Sequence, residues 1–172
     1  MGLNEDKLSK VRHGMVPGGL GDPGEITYKK SRRGDCTVDR AASHVLTSIG
    51  LAGGIFDFDP YGYDERQYCS PGIDLPVGRL SRTPFGTYAE YHTSADDLSF
   101  VDAERLGASY RVLVDILDLL ERNGAYLNMS PKCEPQLGRR GLCSPTRTVG
   151  QSLLWVLNFS DGRRDLLAIA EM

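Results

Sequence analysis

The three histidines are the first residues to consider for chemistry, and only one of them stands in a suggestive setting. His13 lies in a polar N-terminal segment and His44 lies at the edge of an apolar helical face, so neither indicates a site. His92 follows a long irregular segment and stands between Tyr91 and Thr93, just ahead of a capped helix. Neutral imidazole is a common zinc ligand. On spacing alone, a ligand and an ordinary surface or capping histidine are equally good interpretations.

Several charged residues are further candidates for a functional site. The pair Asp96 and Asp97 directly precedes a helix, and adjacent side chains point in different directions, so we assign them no catalytic role. Arg79 and Arg82 could bind a substrate carboxylate through two parallel hydrogen bonds, although an exposed arginine is the ordinary case. Asp22 lies in a Gly-Asp-Pro-Gly sequence, which is typical of a turn.

Two segments carry a resemblance to a known family: residues 63–76 (YDERQYCSPGIDLP) and residues 88–97 (YAEYHTSADD). Together with residues 28–35 and 135–141, they resemble the bacterial aminopeptidase-like zinc proteins that have a winged-helix C-terminus. Those proteins are similar in turn to the co-catalytic zinc aminopeptidases. The resemblance covers nearly the whole chain.

This resemblance implies a function and a set of site residues. His92 would be a zinc ligand, and Tyr91 would border the substrate or polarise its carbonyl. Asp64 and Glu65 stand where the larger class has a loop acid, with glutamate replacing the histidine that usually follows. The implied cofactor is zinc, and the implied substrate is a peptide or a small amide with a free amino terminus.

The resemblance also leaves essential parts missing. Catalytic zinc generally needs three protein ligands, and hydrolysis needs a carboxylate base. In the resembled family the other histidine, the bridging aspartate and the glutamate base come from sequence that would precede this chain. We therefore expect a fragment that is inactive alone. The alternative is a non-catalytic protein-interaction module derived from the same fold.

The local patterns predict an α/β protein. They predict strands at residues 25–29 and 55–59, a helix through about residue 48, and a loop over residues 61–90. A longer helix is predicted between an Asp102 cap and Gly124, with an apolar stripe formed by Leu106, Tyr110, Leu113, Leu117 and Leu120. Two short helices are predicted at residues 153–157 and 166–170, separated by Ser160-Asp161-Gly162.

These elements suggest three regions. Residues 1–130 are predicted to form part of a three-layer αβα zinc-exopeptidase-like domain, residues 131–150 a linker, and residues 151–172 the start of a winged helix. A winged helix that binds DNA needs a recognition helix in the major groove. Since none follows here, nucleic-acid binding is not expected.

Composition and charge favour a cytoplasmic protein. The 172 residues carry a net charge of −3, which gives no overall attraction to nucleic acid or to an anionic membrane. No membrane helix is expected, because Asp115 and Asp118 interrupt the most apolar stretch, and the polar N-terminus does not resemble a secretory signal. The four cysteines lack metal-site spacing and are expected to be reduced thiols. A homo-oligomer is compatible with the sequence.

Overall fold

The computed structural model describes residues 2–133, 135–142 and 147–172, and gives side-chain environments for all of these except 2–4 and 147–149. The chain divides into two compact units, Met1–Leu120 and Glu121–Met172. Both contain helices and strands, so the predicted mixture of α and β structure is confirmed. The three-layer arrangement stays a prediction. Among the described residues, no helix combines the length and the apolar character needed to cross a membrane.

The first unit is built on a four-stranded sheet, preceded by a 3-10 helix at Gly2–Lys10. Its strands are β1 (Gly14–Pro17), β2 (Thr27–Lys29), β3 (Ile55–Phe56) and β4 (Val77–Ser81), in the spatial order β1-β4-β2-β3. β1 is parallel to β4 and β2 is parallel to β3, whereas β2 and β4 are antiparallel. Every residue of the two central strands is buried. The predicted strands at 25–29 and 55–59 exist but are shorter.

Helix α1 (Thr37–Ser48) packs against the sheet through the predicted apolar face. Val38, Ala41, Ala42 and Val45 are all buried, as the 3.6-residue spacing indicates. Ile49 falls at the same spacing but is half-exposed, because it follows the last helical residue and caps the helix.

The predicted loop over residues 61–90 is wrong at its centre. It contains the short helix α2 (Glu65–Tyr68) and the central strand β4. The sequence of β4, Val-Gly-Arg-Leu-Ser, lacks the alternation or the continuous apolar run typical of strands. Two of its five residues are polar: Arg79 forms an ion pair with buried Glu65, and Ser81 hydrogen-bonds to Thr27 of β2. The strand also contains Gly78, at which a Cβ would overlap the Tyr28 phenol.

Helix α3 (Ala103–Arg122) confirms the predicted long helix and its Asp102 cap, whose Oδ1 accepts a 2.8 Å hydrogen bond from Arg105 N. The predicted apolar stripe is mostly wrong. The buried side chains are Ser109, Val112, Ile116 and Leu120, whereas Leu106, Tyr110 and Leu117 are exposed. Ser109 faces inward because its Oγ donates to the Leu20 carbonyl at 2.7 Å. A buried hydrogen bond therefore helps to select the face that an apolar pattern alone did not identify.

The second unit pairs strand β5 (Ala125–Leu127) with strand β6 (Asp161–Asp165) in an antiparallel ribbon. Helix α4 (Arg147–Phe159) is longer than the short helix predicted at 153–157, and it begins within the predicted linker. That linker also contains a 3-10 helix at Gly138–Arg140. The expected break after Ser160 is the start of β6. Helix α5 (Leu166–Ala170) confirms the last predicted helix.

Three cysteines, Cys36, Cys69 and Cys133, are free thiols, as predicted. The fourth, Cys143, lies outside the described residues.

Candidate functional site

The candidate site lies on one face of the sheet in the first unit. Lys29 of β2 and Arg79 of β4 are direct partners across the antiparallel pair, so their side chains leave the sheet on the same face. Two like charges placed opposite each other are destabilising unless an anion lies with them. Helix α2 supplies that anion through Glu65, at its first position.

These three charged side chains form a buried ion cluster. Lys29 Nζ lies 2.8 Å and Arg79 Nη1 lies 3.8 Å from Glu65 Oε1. The three residues are 0–5% exposed. The lysine also donates to the carbonyls of Asp59 and Tyr61, at 2.9 and 2.8 Å. The chain thus holds a fixed group of charges below the surface.

The cluster is only partly satisfied by hydrogen bonds. Within the described part of the chain, neither Glu65 oxygen accepts a well-aligned hydrogen bond, and Arg79 Nε and Nη1 have no acceptor. The 2.8 Å Lys29–Glu65 contact is therefore an ion pair without hydrogen-bond geometry. Burial lowers the pKa of Arg79, and the Glu65 carboxylate opposes that shift. Buried polar groups usually have partners, so this cluster is an exception that requires an explanation.

An aromatic wall covers the arginine, and we use this name for Tyr61, Tyr63, Phe85 and Tyr91. Phe85 is central: its ring centroid lies 5.3, 4.5 and 5.9 Å from those of Tyr61, Tyr63 and Tyr91. The Arg79 guanidinium lies over the Phe85 ring at 4.2 Å, which is a favourable cation–π distance. Burial, followed by hydrogen bonding to Tyr91, raises the pKa of Tyr63.

The wall ends at His92, the predicted zinc ligand. The imidazole stacks on the Tyr91 ring with the centroids 3.9 Å apart. His92 has a φ of 57°, an uncommon backbone conformation for a residue other than glycine. The side chain is exposed, whereas Tyr91 is half-buried. An imidazole held on an aromatic ring and open to solvent is accessible to a ligand or a metal ion.

The two predicted acidic site residues occupy different environments. Asp64 is exposed at the start of α2. Glu65 is fully enclosed by the ion cluster, and the backbone of Gly62 lies so close that a Cβ there would overlap Glu65 Oε1. The structure thus brings Glu65 together with Tyr91 through Arg79 and the aromatic wall. It does not place Asp64 in that group.

The fit of these residues to zinc is incomplete. Within residues 2–133, 135–142 and 147–172, no three or more histidine, cysteine, aspartate or glutamate side chains are grouped so that they could hold a metal ion. His92 alone cannot provide the ligand set of a catalytic zinc.

Asp22 acts as the predicted turn residue and also as a tether. Its Oδ1 accepts hydrogen bonds from Gly24 N at 2.9 Å, from Thr83 N at 3.1 Å, and from the Thr83 hydroxyl. This joins the turn after β1 to the segment after β4. The other oxygen, Oδ2, is buried without a hydrogen-bond partner among the described residues. Asp96 and Asp97 are exposed, and Asp97 accepts from Ser99, so the structure gives them a turn role.

Sequence reasoning missed the burial of three basic residues: Lys29 and Arg79 of the ion cluster, and Arg82 outside it. Arg79 and Arg82 were expected to be exposed, but only 5% and 4% of their surfaces are accessible. Arg82 is structural, since its guanidinium donates to Ser109 Oγ and to the carbonyls of Gly24 and Arg105. Lys29 was not singled out from the sequence as a site residue. Its position as the last residue of a buried strand was the available signal.

Comparison with known proteins gives the family. Residues 1–123 match a family described as a domain of unknown function, DUF4910, and residues 124–172 match a winged helix-turn-helix family. A Clostridium acetobutylicum protein named "Putative polysaccharide biosynthesis protein with aminopeptidase-like domain" is 43% identical over 176 residues. That match covers 97% of this chain and 40% of the relative.

A solved structure gives the same result. A crystal structure from Clostridium acetobutylicum, described as a "putative peptidase", has a TM-score of 0.87 and 42% identity. The match covers 98% of this chain and 38% of that one, so this chain spans about two-fifths of the length of either relative. The names of these relatives agree with the aminopeptidase-like resemblance. The winged helix-turn-helix match falls within the second unit. Because the first family covers residues 1–123, the chain belongs to the family described as domain of unknown function DUF4910.

Proposed function

We propose that this chain forms part of a zinc-dependent aminopeptidase-like hydrolase that acts on peptide or amide bonds near a free amino terminus. The observation that carries the proposal is the exposed His92 imidazole, stacked on Tyr91 at the end of the aromatic wall. Relatives named for an aminopeptidase-like domain and for a peptidase support a hydrolase. The words "polysaccharide biosynthesis" in one name leave a small amide of a sugar among the candidate substrates.

In this proposal the residues have separate roles. His92 supplies one zinc ligand and Tyr91 lies beside the substrate carbonyl, where its phenol can donate a hydrogen bond. Asp64 is exposed to solvent and is not a member of the ion cluster that contains Glu65. Glu65 is a buried anion that pairs with Arg79, and Arg79 in turn contacts Phe85 of the aromatic wall. Glu65 is a poor candidate for a general base, because a base must reach the reacting proton. Hydrolysis by the isolated chain is not expected, since His92 alone cannot hold catalytic zinc.

Zinc titration of the purified chain tests the proposal. We expect wild-type protein to bind one zinc ion weakly in isothermal titration calorimetry, and His92→Ala to lose at least about tenfold in affinity, a change of about 1.4 kcal/mol. His44→Ala is the matched control, because His44 is also exposed and lies on α1.

Equal losses in the two variants would contradict a role for His92 in metal binding. A well-folded wild-type chain that binds no zinc would favour the alternative, a non-catalytic interaction module.

A further inference from the structure

The ion cluster carries more positive charge than the described acidic side chains buried with it neutralise. Two buried cations, Lys29 and Arg79, share the single Glu65 carboxylate. Asp59 also acts on Arg79, but its side chain is exposed to solvent. A buried charge is costly unless it is paired and hydrogen-bonded. Among the side chains that the structure describes, one positive charge in this cluster therefore lacks a buried counterion.

The excess charge belongs to Arg79 rather than to Lys29. Lys29 Nζ is 2.8 Å from Glu65 Oε1 and donates to two backbone carbonyls, so its hydrogen bonds and its charge are compensated. Arg79 is a full ångström farther from the same oxygen, and its Nε and Nη1 have no acceptor among the described residues. Nε and Nη1 of this guanidinium each keep an N–H group that can donate a charge-assisted hydrogen bond to an anion.

The surroundings of Arg79 indicate where such an anion would come from. The guanidinium lies under Phe85, whose ring also contacts Tyr91, and Tyr91 carries His92. Side chains of the wall are partly exposed, Tyr61 by 66% and Tyr63 by 37%. The wall is thus open to solvent at Tyr61 and Tyr63, and contact between a bound small molecule and Arg79 requires the Phe85 ring to turn aside.

We propose that Arg79 is the receptor for a carboxylate group on the ligand that binds beside Tyr91 and His92. The ligand class is a short molecule with a free carboxylate, such as a dipeptide. The identity of that ligand as a substrate rests on the proposed function, whereas the carboxylate site itself does not. Arg79 acts here in binding and specificity, and it donates no proton to the reaction.

Two pairs of ligands test this inference on the complete 172-residue chain. The first pair is the dipeptide Ala-Phe and its C-terminal amide, and the second is 3-phenylpropionate and 3-phenylpropionamide. Binding is followed by NMR titration of the tyrosine and histidine ring signals. Charge-assisted hydrogen bonding to Arg79 predicts at least about tenfold tighter binding of each acid than of its amide.

Substitutions assign the preference to one residue. Arg79→Gln is expected to abolish it, and Arg79→Lys, which keeps the charge but loses the planar fork, is expected to reduce it. Arg66→Gln is the matched control, because Arg66 is an exposed arginine on α2, next to Glu65, and it should keep the wild-type preference. Circular dichroism of each variant verifies folding, and Arg79→Lys keeps the test valid if Arg79→Gln does not fold.

The outcomes separate this inference from the proposed function. Equal affinity for acid and amide, or a preference that survives both Arg79 substitutions, overturns the carboxylate site while peptide binding beside His92 stands. A preference within the phenylpropionate pair without any dipeptide binding supports the carboxylate site and counts against a peptide hydrolase. Absence of binding by all four molecules overturns the inference.

Discussion

The Tyr28 phenol donates a 3.0 Å hydrogen bond to Asp39 Oδ1, and the two side chains are 0% and 1% exposed. Asp39 also accepts from the backbone N and the hydroxyl of Ser31 and from Cys36 N. Tyr28 lies on central strand β2 and Asp39 in the first turn of α1. This network therefore joins the helix to the face of the sheet opposite the ion cluster.

Removing the phenol hydroxyl should weaken the first unit. We expect Tyr28→Phe to lower the free energy of unfolding by about 1 to 3 kcal/mol, because a hydrogen bond to a buried carboxylate is lost. Urea denaturation followed by circular dichroism measures this change. Tyr61→Phe serves as control, since Tyr61 is 66% exposed. A similar loss in both variants would show that the buried hydrogen bond has no special weight.

The same tyrosine predicts how stability depends on alkaline pH. Burial, and then the charge of Asp39, raises the pKa of Tyr28 well above its usual value. Its stabilising effect is complete below the unfolded pKa of about 10 and is lost as pH rises towards the folded pKa. In that window the unfolded chain releases a proton that the folded chain keeps, so stability falls by about 1.4 kcal/mol per pH unit for this group.

Tyr28→Phe should accordingly show a shallower alkaline decline than wild type in urea titrations at several pH values. Tyr63 and Tyr88 also have raised pKa values, so part of the decline remains in the variant. Superimposable pH profiles for the two proteins would contradict the assignment to Tyr28.

The close approach of Gly62 to the ion cluster gives another prediction. A Cβ at this position would overlap Glu65 Oε1 and would lie 2.7 Å from Lys29 Nζ. We expect Gly62→Ala to lower stability by about 1 to 3 kcal/mol, as for other overpacked sites. At Gly53 a Cβ meets no atom within 4 Å, so Gly53→Ala should be neutral or slightly stabilising. Thermal melts of the two alanine variants measure the difference, and equal melting temperatures would argue against a fixed cluster.

The sequence predicted elements that follow simple rules and missed those that depend on buried polar groups. α1 was predicted from its apolar spacing and α3 from its Asp102 cap, both of which are local signals. Strand β4 was missed because two of its residues are explained only by tertiary contacts. Gly78 makes room for the Tyr28 phenol, and Arg79 forms an ion pair with Glu65. At the site, His92 and Tyr91 were predicted by resemblance, and their roles stay predictions. The burial of Arg79 depends on strand pairing, which the sequence did not reveal.

The two faces of α3 can be distinguished by a pair of neighbouring residues. Ile116 is fully buried, whereas Leu117 is 48% exposed. We expect Ile116→Ala to cost about 2 to 5 kcal/mol through lost packing and a cavity, and Leu117→Ala to cost about 1 kcal/mol or less. Chemical denaturation of both variants gives the comparison. If Leu117→Ala were the more damaging change, the stripe predicted from sequence would be the true packing face.

The neighbours Asp64 and Glu65 offer the sharpest test of the buried charges. Glu65→Gln removes the only carboxylate buried with Lys29 and Arg79 among the described residues, and so leaves two enclosed cations without a counterion. Breaking a buried ion pair in this way typically costs about 3 to 5 kcal/mol. Asp64→Asn is the matched change at an exposed position and should alter stability by about 0.5 kcal/mol or less.

Urea denaturation of the two variants at neutral pH measures both values. If Glu65→Gln had nearly the wild-type free energy of unfolding, Lys29 and Arg79 would have to be solvated without the carboxylate. Arg79 would then carry no uncompensated buried charge. A large loss in Glu65→Gln with an unchanged Asp64→Asn would instead assign Glu65 to holding the cluster, because a surface acid could not produce that difference.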